Sequence, residues 1–212
     1  MFLFITIATI GSITNEANAG TTIVAVVPTE IIVPPEDIGK TFQVNVTVTN
    51  VTDLYAWNIN VSWNPSVLRF VGVPVEGPFL KQGGTTAFMY SKINNTAGYI
   101  NGAGISCTLL GTVPGVNGNG TLLILTFNAT AIGVSPIDIS SPVSKDVPRK
   151  TVLVKSDRKT LIPHEDVDGS VTVIPEFSGP ILTAVFLAIT LLAVALAKKA
   201  SSLKRRVTIN AK

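Results

Sequence analysis

Strict alternation of apolar and polar residues runs through the middle of the chain and predicts β-strands. Successive side chains on a strand point to opposite faces, so we expect one face to be buried and the other to meet solvent. Between residues 20 and 174 the runs are separated by Gly, Pro and Asn turn signals, without a helical period of useful length. The predicted strands are Val24–Val27, Thr41–Thr49, Leu54–Trp63, Val67–Val73, Thr85–Tyr90, Gly98–Ser106, Thr121–Thr130, Pro136–Ser140, Thr151–Val154 and Ser170–Ile174.

The phase of the alternation predicts the core. Many short strands with turns between them indicate an antiparallel β-sandwich, an all-β fold. Its predicted inward positions are Phe42, Val44, Val46 and Val48 in the second run, Tyr55, Trp57, Ile59, Val61 and Trp63 in the third, and Leu123, Leu125, Phe127 and Ala129 in the run near residue 125.

Six Asn-x-Ser/Thr tripeptides are candidate glycosylation sites, at Asn45, Asn50, Asn60, Asn94, Asn119 and Asn128. An attached glycan must project into solvent. The sites within predicted strands, at Asn45, Asn60 and Asn128, fall on the face opposite the apolar residues, so the two patterns agree. The alternative is that Asn and Thr are common on β surfaces and that the tripeptides are accidental.

Both ends of the chain are apolar. Residues 1–19 have a short apolar run followed by Ala17-Asn18-Ala19, which predicts a signal peptide cleaved before Gly20. No basic residue precedes the run, so a strand or an anchor is the alternative. Residues 180–197 are uncharged and apolar on every face, which predicts a transmembrane helix rather than a buried core helix.

The basic residues of the tail set the expected orientation in the membrane. Residues 198–212 hold six basic and no acidic residues, which places the C-terminus in the cytoplasm and the sandwich of residues 20–174 outside the cell, joined by a short linker of residues 175–179. The net charge of +3 comes from this tail, because the rest of the chain has ten basic residues against 13 acidic ones. A mildly acidic ectodomain argues against nucleic acid as a partner.

No motif marks a catalytic or metal site, so we predict no catalytic residue, no metal and no cofactor, with an unmarked pair of catalytic carboxylates as the alternative. Cys107 is expected to be a small core residue, with an intermolecular disulfide as the alternative. His164 is the only histidine and is expected in an exposed loop, which excludes a His-based triad or a multi-His metal site. Glu165, Asp166 and Asp168 predict a turn rather than a calcium loop, because the remaining loop spacing is missing.

The segment Lys145–Lys159 is strongly basic. It holds six basic residues and two acidic ones. A solvated hairpin face is the usual explanation of such a run, and binding of an acidic partner or polymer is the alternative.

Three motifs resemble the cohesin domain family. VSWNPSVLRFVGV (Val61–Val73) resembles its strand–turn–strand segment, NGTLLILTFNATAIGVSPIDIS (Asn119–Ser140) its Gly-x-Leu-x-x-Ile-x-Phe strand, and VDGSVTV (Val167–Val173) its closing strand. The motifs are also similar to those of cellulose-binding sandwich modules. The resemblance implies a nine-strand jelly-roll β-sandwich and a non-catalytic role, since cohesins bind calcium-loaded dockerins and so assemble polysaccharide-degrading enzymes.

The C-terminal region has a resemblance of its own. VIPEFSGP, followed by the apolar run and Lys198-Lys199, resembles the Pro-Glu-Phe sorting regions of archaeal surface proteins. This implies processing near Pro175–Phe177, and a plain retained anchor is the alternative.

The predicted function is therefore a cell-surface cohesin-like domain that attaches a partner protein outside the cell. The alternatives are a carbohydrate-binding module for a polysaccharide and a structural envelope or adhesion glycoprotein. In cohesins the dockerin binds the sheet of the third, fifth, sixth and eighth strands, and a glycan on Asn60 would obstruct that surface. The candidate binding face is Asn58, Asn60, Ser62, Phe88 and Tyr90.

Overall fold

The computed structural model describes residues 20–100, 104–140 and 151–176, and residues 187–194, 196 and 198 in the C-terminal segment. The described residues are mostly β-strand, with two short 3-10 turns at Pro35–Asp37 and Leu80–Gly83. The strands are β1 (Ile23–Val27), β2 (Glu30–Val33), β3 (Thr41–Ile59), β4 (Ser62–Trp63), β5 (Leu68–Phe70), β6 (Val75–Glu76), β7 (Thr86–Tyr90), β8 (Ile93–Asn94), β9 (Tyr99–Ile100), β10 (Ile105–Leu109), β11 (Val116–Ala129), β12 (Gly133–Asp138), β13 (Val152–Lys155), β14 (Glu165–Val167) and β15 (Gly169–Val173).

These strands form two sheets. One has nine strands and contains the path β14-β1-β3-β10-β7, with β11 and β13 also paired to β3, and β5 and β6 paired to β11. The other has six strands in the order β2-β15-β12-β4-β9-β8. Buried side chains from both sheets join in one hydrophobic core. The prediction of an all-β sandwich is confirmed.

The long strand β3 organises the larger sheet. Its first half pairs with β1 and β11, whereas its second half pairs with β13 and β10. Asn50 and Asp53 lie between the halves and have positive φ angles of 55° and 62°, a conformation that Asn and Asp tolerate better than most residues. The buried positions change there from even-numbered residues such as Val48 to odd-numbered residues such as Tyr55 and Trp57.

The core residues predicted from the alternation are confirmed. All but one of the predicted inward side chains are buried, and the remaining one, Phe42, packs against the core while partly exposed. Aromatic rings meet at the centre: the Phe127 ring centroid lies 5.5 Å from that of Trp63 and 5.3 Å from that of Phe70, both edge-to-face. Such pairs contribute about 0.5–1.5 kcal/mol each beyond the area they bury.

The number and limits of the strands differ from the prediction. Fifteen strands occur among the described residues instead of nine, because several are short segments that pair only locally. The predicted run Thr41–Thr49 continues into Leu54–Ile59 as one strand, and the chain leaves that sheet after Ile59 and enters the other at Ser62. The acidic stretch predicted as a turn contains β14, which pairs in parallel with β1.

The chain ends are described only in part. Residues 187–194 of the predicted transmembrane segment are helical. Among the described residues, no helix reaches the length and apolar character that crossing a membrane requires. The predicted signal peptide and most of the basic tail lie outside the described residues, as does Phe177 of the predicted processing site.

Candidate binding face

Four strands, β13, β3, β10 and β7, lie side by side and present an uncharged surface. Their registers place Val152, Asn58, Ser106 and Met89 in one row across the sheet, and Val154, Ala56, Thr108 and Ala87 in the next. All eight side chains are partly or fully exposed. We call these eight residues the outer face. None of the eight side chains is charged or aromatic.

The opposite side of the same strands belongs to the core. Trp57, Leu153 and Cys107 alternate with the outer residues and are buried. Phe88 pairs with Cys107, and its ring centroid lies 6.1 Å from that of Trp57, so its side chain packs inward. Tyr90 has the same phase as Phe88 and lies at the free edge of the sheet, 45% exposed.

The structure therefore separates the five residues of the predicted binding face. Asn58 lies on the outer face, whereas Phe88 faces the core, Tyr90 lies at the edge and Ser62 belongs to the six-stranded sheet. The residues of β7 on the outer face are Ala87 and Met89, and Met89 is 60% exposed. Alternation along β7 places Phe88 and Met89 on opposite faces, which the sequence pattern could show. Which of the two faces the core depends on the pairing of β7 with β10, which the pattern does not give.

The structure corrects the prediction that Asn60 is exposed. Asn60 is only 1% exposed, and its neighbours Ile59 and Val61 are also buried. The alternation fails here because the chain is passing between the two sheets. The Asn60 amide packs so closely on Gly104 that a Cβ at Gly104 would lie 2.3 Å from Asn60 Oδ1. A glycan on Asn60 has no room in the folded domain, and the predicted obstruction of the binding surface loses its basis.

The other candidate glycosylation sites lie nearer the surface. Asn50 and Asn119 are exposed and adjacent, since the Asn50 backbone N–H donates to the Asn119 side-chain oxygen at 2.7 Å. Asn45, Asn94 and Asn128 are partly exposed. Glycosylation of these five asparagines stays a prediction.

A hairpin tip of residues 155–160 borders one end of the outer face. The Lys155 N–H donates to the Thr160 carbonyl, and the Arg158 N–H to the Lys155 carbonyl, both at 2.9 Å. The Asp157 carboxylate accepts hydrogen bonds from the Thr160 hydroxyl, the Thr160 N–H and the Lys159 N–H. These bonds, led by that of the Thr160 hydroxyl, lower the pKa of Asp157 to about 2, so it is ionised at neutral pH.

Asp53 ties this tip to β3. Its carboxylate accepts from the Ser156 hydroxyl at 3.0 Å and from the Gly115 N–H at 3.1 Å. The side chain of Arg158 extends from the tip over the Tyr55 ring, with its guanidinium carbon 5.1 Å from the ring centroid. Its Nη2 donates to the Tyr55 hydroxyl oxygen at 2.9 Å and to the Gly111 carbonyl. The sequence showed that the segment is basic. It could not show these contacts, because they join residues far apart along the chain.

A polar contact lies behind the face. The Glu76 carboxylate accepts from the Thr86 hydroxyl at 2.7 Å and from the Cys107 thiol at 3.3 Å, and Lys81 Nζ lies 3.3 Å from its other oxygen. Burial, together with the Glu76 carboxylate, raises the pKa of Cys107 to about 12. The predicted core position of Cys107 is confirmed.

His164 lies away from the outer face and is less exposed than predicted. Its side chain is 11% exposed, with Nδ1 2.8 Å from the Ile162 carbonyl oxygen and Nε2 3.5 Å from Asp166 Oδ1. Asp168 accepts from the backbone N–H groups of Ile139 and Ser140. Within the described ranges, no group of three or more His, Cys, Asp or Glu residues is placed to hold a metal ion.

Comparison with protein families identifies the fold. The family model of the cohesin domain matches residues 27–173. The chain belongs to the cohesin domain family. Cohesin domains are non-catalytic modules that bind dockerins, and the outer face lies on one sheet of this cohesin domain. No match was found among curated proteins.

Solved cohesin structures share the fold at low identity. The sixth cohesin of scaffoldin B from Acetivibrio cellulolyticus, in complex with a mutant dockerin, is 15% identical with a TM-score of 0.53, covering 73% of this chain and 99% of its own. A cohesin from Clostridium acetobutylicum, solved in solution, is 19% identical with a TM-score of 0.53, covering 76% and 94%. A non-cellulosomal cohesin from the archaeon Archaeoglobus fulgidus is 14% identical with a TM-score of 0.48, covering 73% and 92%.

Proposed function

We propose that this cohesin domain attaches a partner protein of the dockerin type to the outside of the cell, through the outer face. The observation that carries the proposal is the composition of that face. Eight uncharged side chains lie in two rows on four adjacent strands, and the core directly behind them is closely packed. A face of uncharged side chains on paired strands suits a protein interface, because the strands lose little conformational freedom on binding and these eight residues bring no charge that must be desolvated.

The size of the face limits how the partner binds. Four strands about 4.8 Å apart and about five residues long present roughly 300 Å² in plane. A standard protein interface buries about 800 Å² on each side. The partner therefore also contacts the rim of the face, where the hairpin tip and the edge strand β7 lie.

Direct binding of polysaccharide has less support. Flat sugar-binding surfaces use exposed aromatic rings, and Tyr90 is the one large aromatic side chain exposed among the described residues. The Tyr55 ring near the outer face is covered by the Arg158 guanidinium. A domain that binds polysaccharide directly would retain insoluble glycans.

We propose further that residues 180–197 hold the domain at the membrane, with the basic tail in the cytoplasm. The uncharged apolar run followed at once by basic residues supports this. So does the helical segment 187–194, whose Leu, Ile and Val side chains are exposed. Alkaline carbonate should leave the full chain in the membrane fraction, and protease added to intact cells should remove the domain. Release by carbonate, or protection from protease, would refute this placement.

Two matched substitutions test the binding face. Met89→Arg places a charge on the outer face, and Val134→Arg places one on β12 in the other sheet, at similar exposures of 60% and 57%. The full chain and both variants are immobilised and exposed to proteins of the cell envelope and, separately, to insoluble glycans. We expect the wild type and Val134→Arg to retain a protein with a dockerin-like segment, and Met89→Arg to lose it. Retention of glycan alone, or equal binding by all three, would contradict the proposal.

A further inference from the structure

Arg158 is held in a fixed position at the rim of the outer face. Its guanidinium lies over the Tyr55 ring and donates to the Tyr55 hydroxyl oxygen and the Gly111 carbonyl. Its backbone has a φ of 59°, a left-handed conformation that usually favours glycine and costs about 1–2 kcal/mol for other residues. A side chain held by three contacts loses little further freedom on binding a ligand.

The charge of Arg158 is not neutralised by the described part of the domain. No carboxylate of the described residues lies within 4.0 Å of its guanidinium. The adjacent Asp157 binds the backbone and hydroxyl groups of the hairpin tip, and Asp53 binds Ser156 and Gly115. Within the described part of the chain, both side-chain hydrogen bonds of Arg158 use Nη2, and a guanidinium has five N–H donors in a planar fork.

A surface depression of about 440 Å³ lies directly beside this guanidinium. Thr108, Ala56 and Val154 of the outer face line it, and Leu110, which is exposed, forms an apolar wall. A partner covering the outer face would therefore also cover the depression. The exposed Lys159 adds a second positive charge to the same hairpin tip.

We propose that this depression binds a carboxylate side chain, Asp or Glu, of the partner protein that covers the outer face. The inference rests on the proposed function and names the chemistry that the rim contributes to it. The carboxylate pairs with the free edge of the Arg158 guanidinium, and its methylene groups pack on Leu110. Arginine and carboxylate groups match as a bidentate pair, which gives direction as well as attraction. A carboxylate from a uronic acid would have the same charge, but the ring over which it could stack is already covered by Arg158.

Binding of a defined acidic peptide tests the proposal. A fluorescein-labelled octaglutamate peptide is titrated with the full chain by fluorescence anisotropy, with octaglutamine and octagalacturonate as separate probes. The variants are Arg158→Gln, Arg158→Lys and the neighbouring control Lys159→Gln, which removes an equal charge from an exposed side chain that makes no hydrogen bond or ion pair with the described residues. Thermal melting of each variant establishes that it is folded.

The expected order of affinity depends on the site and not on total charge. Octaglutamate should bind the wild type more tightly than octaglutamine does, and Arg158→Gln should weaken it about tenfold. Arg158→Lys should be intermediate, because it keeps the charge but lacks the fork, and Lys159→Gln should change the affinity less than about twofold. If Arg158→Gln does not fold, weaker binding by Arg158→Lys than by Lys159→Gln gives the same support.

Three results would overturn the inference. One is an equal loss of octaglutamate affinity in Lys159→Gln and in the Arg158 variants, which would indicate nonspecific electrostatic attraction. Another is unchanged binding in the Arg158 variants. The third is Arg158-dependent binding of octagalacturonate in preference to octaglutamate, which would make the ligand a polysaccharide. If octaglutamate fails while Met89→Arg still abolishes capture of a protein partner, the carboxylate site is refuted and the proposed binding face stands.

Discussion

Replacement of Trp57 by alanine tests whether the core supports the outer face as described. Trp57 lies directly behind the outer face, between Ala56 and Asn58, and is 2% exposed. Burial of about 200 Å² of indole at about 25 cal/mol per Å² is worth about 5 kcal/mol, and measured Trp→Ala changes in cores cost about 3–5 kcal/mol. That is a large part of the 5–15 kcal/mol by which domains are usually stable.

The matched substitution Trp57→Phe separates volume from polarity. The Trp57 indole N–H is buried and has no hydrogen-bond partner within the described residues. Phenylalanine removes this unsatisfied donor, which offsets part of the loss from the smaller ring, so we expect a cost of about 1 kcal/mol or less. Tyr90→Ala at the exposed edge serves as a control, with a cost below about 1 kcal/mol.

Urea denaturation followed by fluorescence measures these differences, with Trp63 as the remaining reporter. Trp57→Ala should be the most destabilising, Trp57→Phe and Tyr90→Ala should each cost about 1 kcal/mol or less, and the dependence on urea concentration should be unchanged in all three. A cost below about 1 kcal/mol for Trp57→Ala would refute the reasoning. It would mean that the indole faces solvent and that the face assignment of β3 is reversed.

Three further predictions follow from other parts of the domain. The pKa of Cys107 is raised to about 12 in the folded state from 9.0, so the folded thiol keeps its proton longer than the unfolded one; alkylation at pH 8 should require unfolding, and the loss of stability as pH rises from about 9 to 12 should be smaller in Cys107→Ala than in the wild type. Gly104→Ala should destabilise more than Gly39→Ala in denaturation experiments, because both glycines have positive φ but only Gly104 would bring a Cβ against another residue. Mass spectrometry of the glycoprotein should find Asn60 unmodified even where Asn119 is modified, and a glycan on Asn60 would contradict its burial.

Local alternation predicted the buried positions of β3 and β11. Trp57 and Phe127 were assigned correctly because the pleat sends every second side chain to the same side, whatever the strand pairs with. The same rule failed at Asn60, where the chain crosses between sheets and consecutive residues are all buried. The inward direction of Phe88 was missed for another reason, since it depends on the register between β7 and β10.

The rim of the face could not be predicted from sequence patterns. Arg158 contacts Gly111 and Tyr55, which are 47 and 103 residues away along the chain. The excess of basic residues in Lys145–Lys159 predicted a positively charged segment, but it does not show which of those residues contacts a partner. The folded arrangement distinguishes Arg158 from Lys159, because the Arg158 side chain lies over the Tyr55 ring, whereas the exposed Lys159 side chain makes no hydrogen bond or ion pair with the described residues.

Hydrogen–deuterium exchange of the full chain, free and bound to its captured protein partner, tests the binding face most directly. Binding through the outer face should slow exchange in peptides covering β7 (Thr86–Tyr90), β10 (Ile105–Leu109) and the hairpin tip of residues 155–160. Peptides covering β12 (Gly133–Asp138) in the other sheet should exchange at the same rate in both states. Slower exchange confined to β12 and its neighbours, with β7 and β10 unaffected, would contradict the assignment of the outer face as the partner-binding surface.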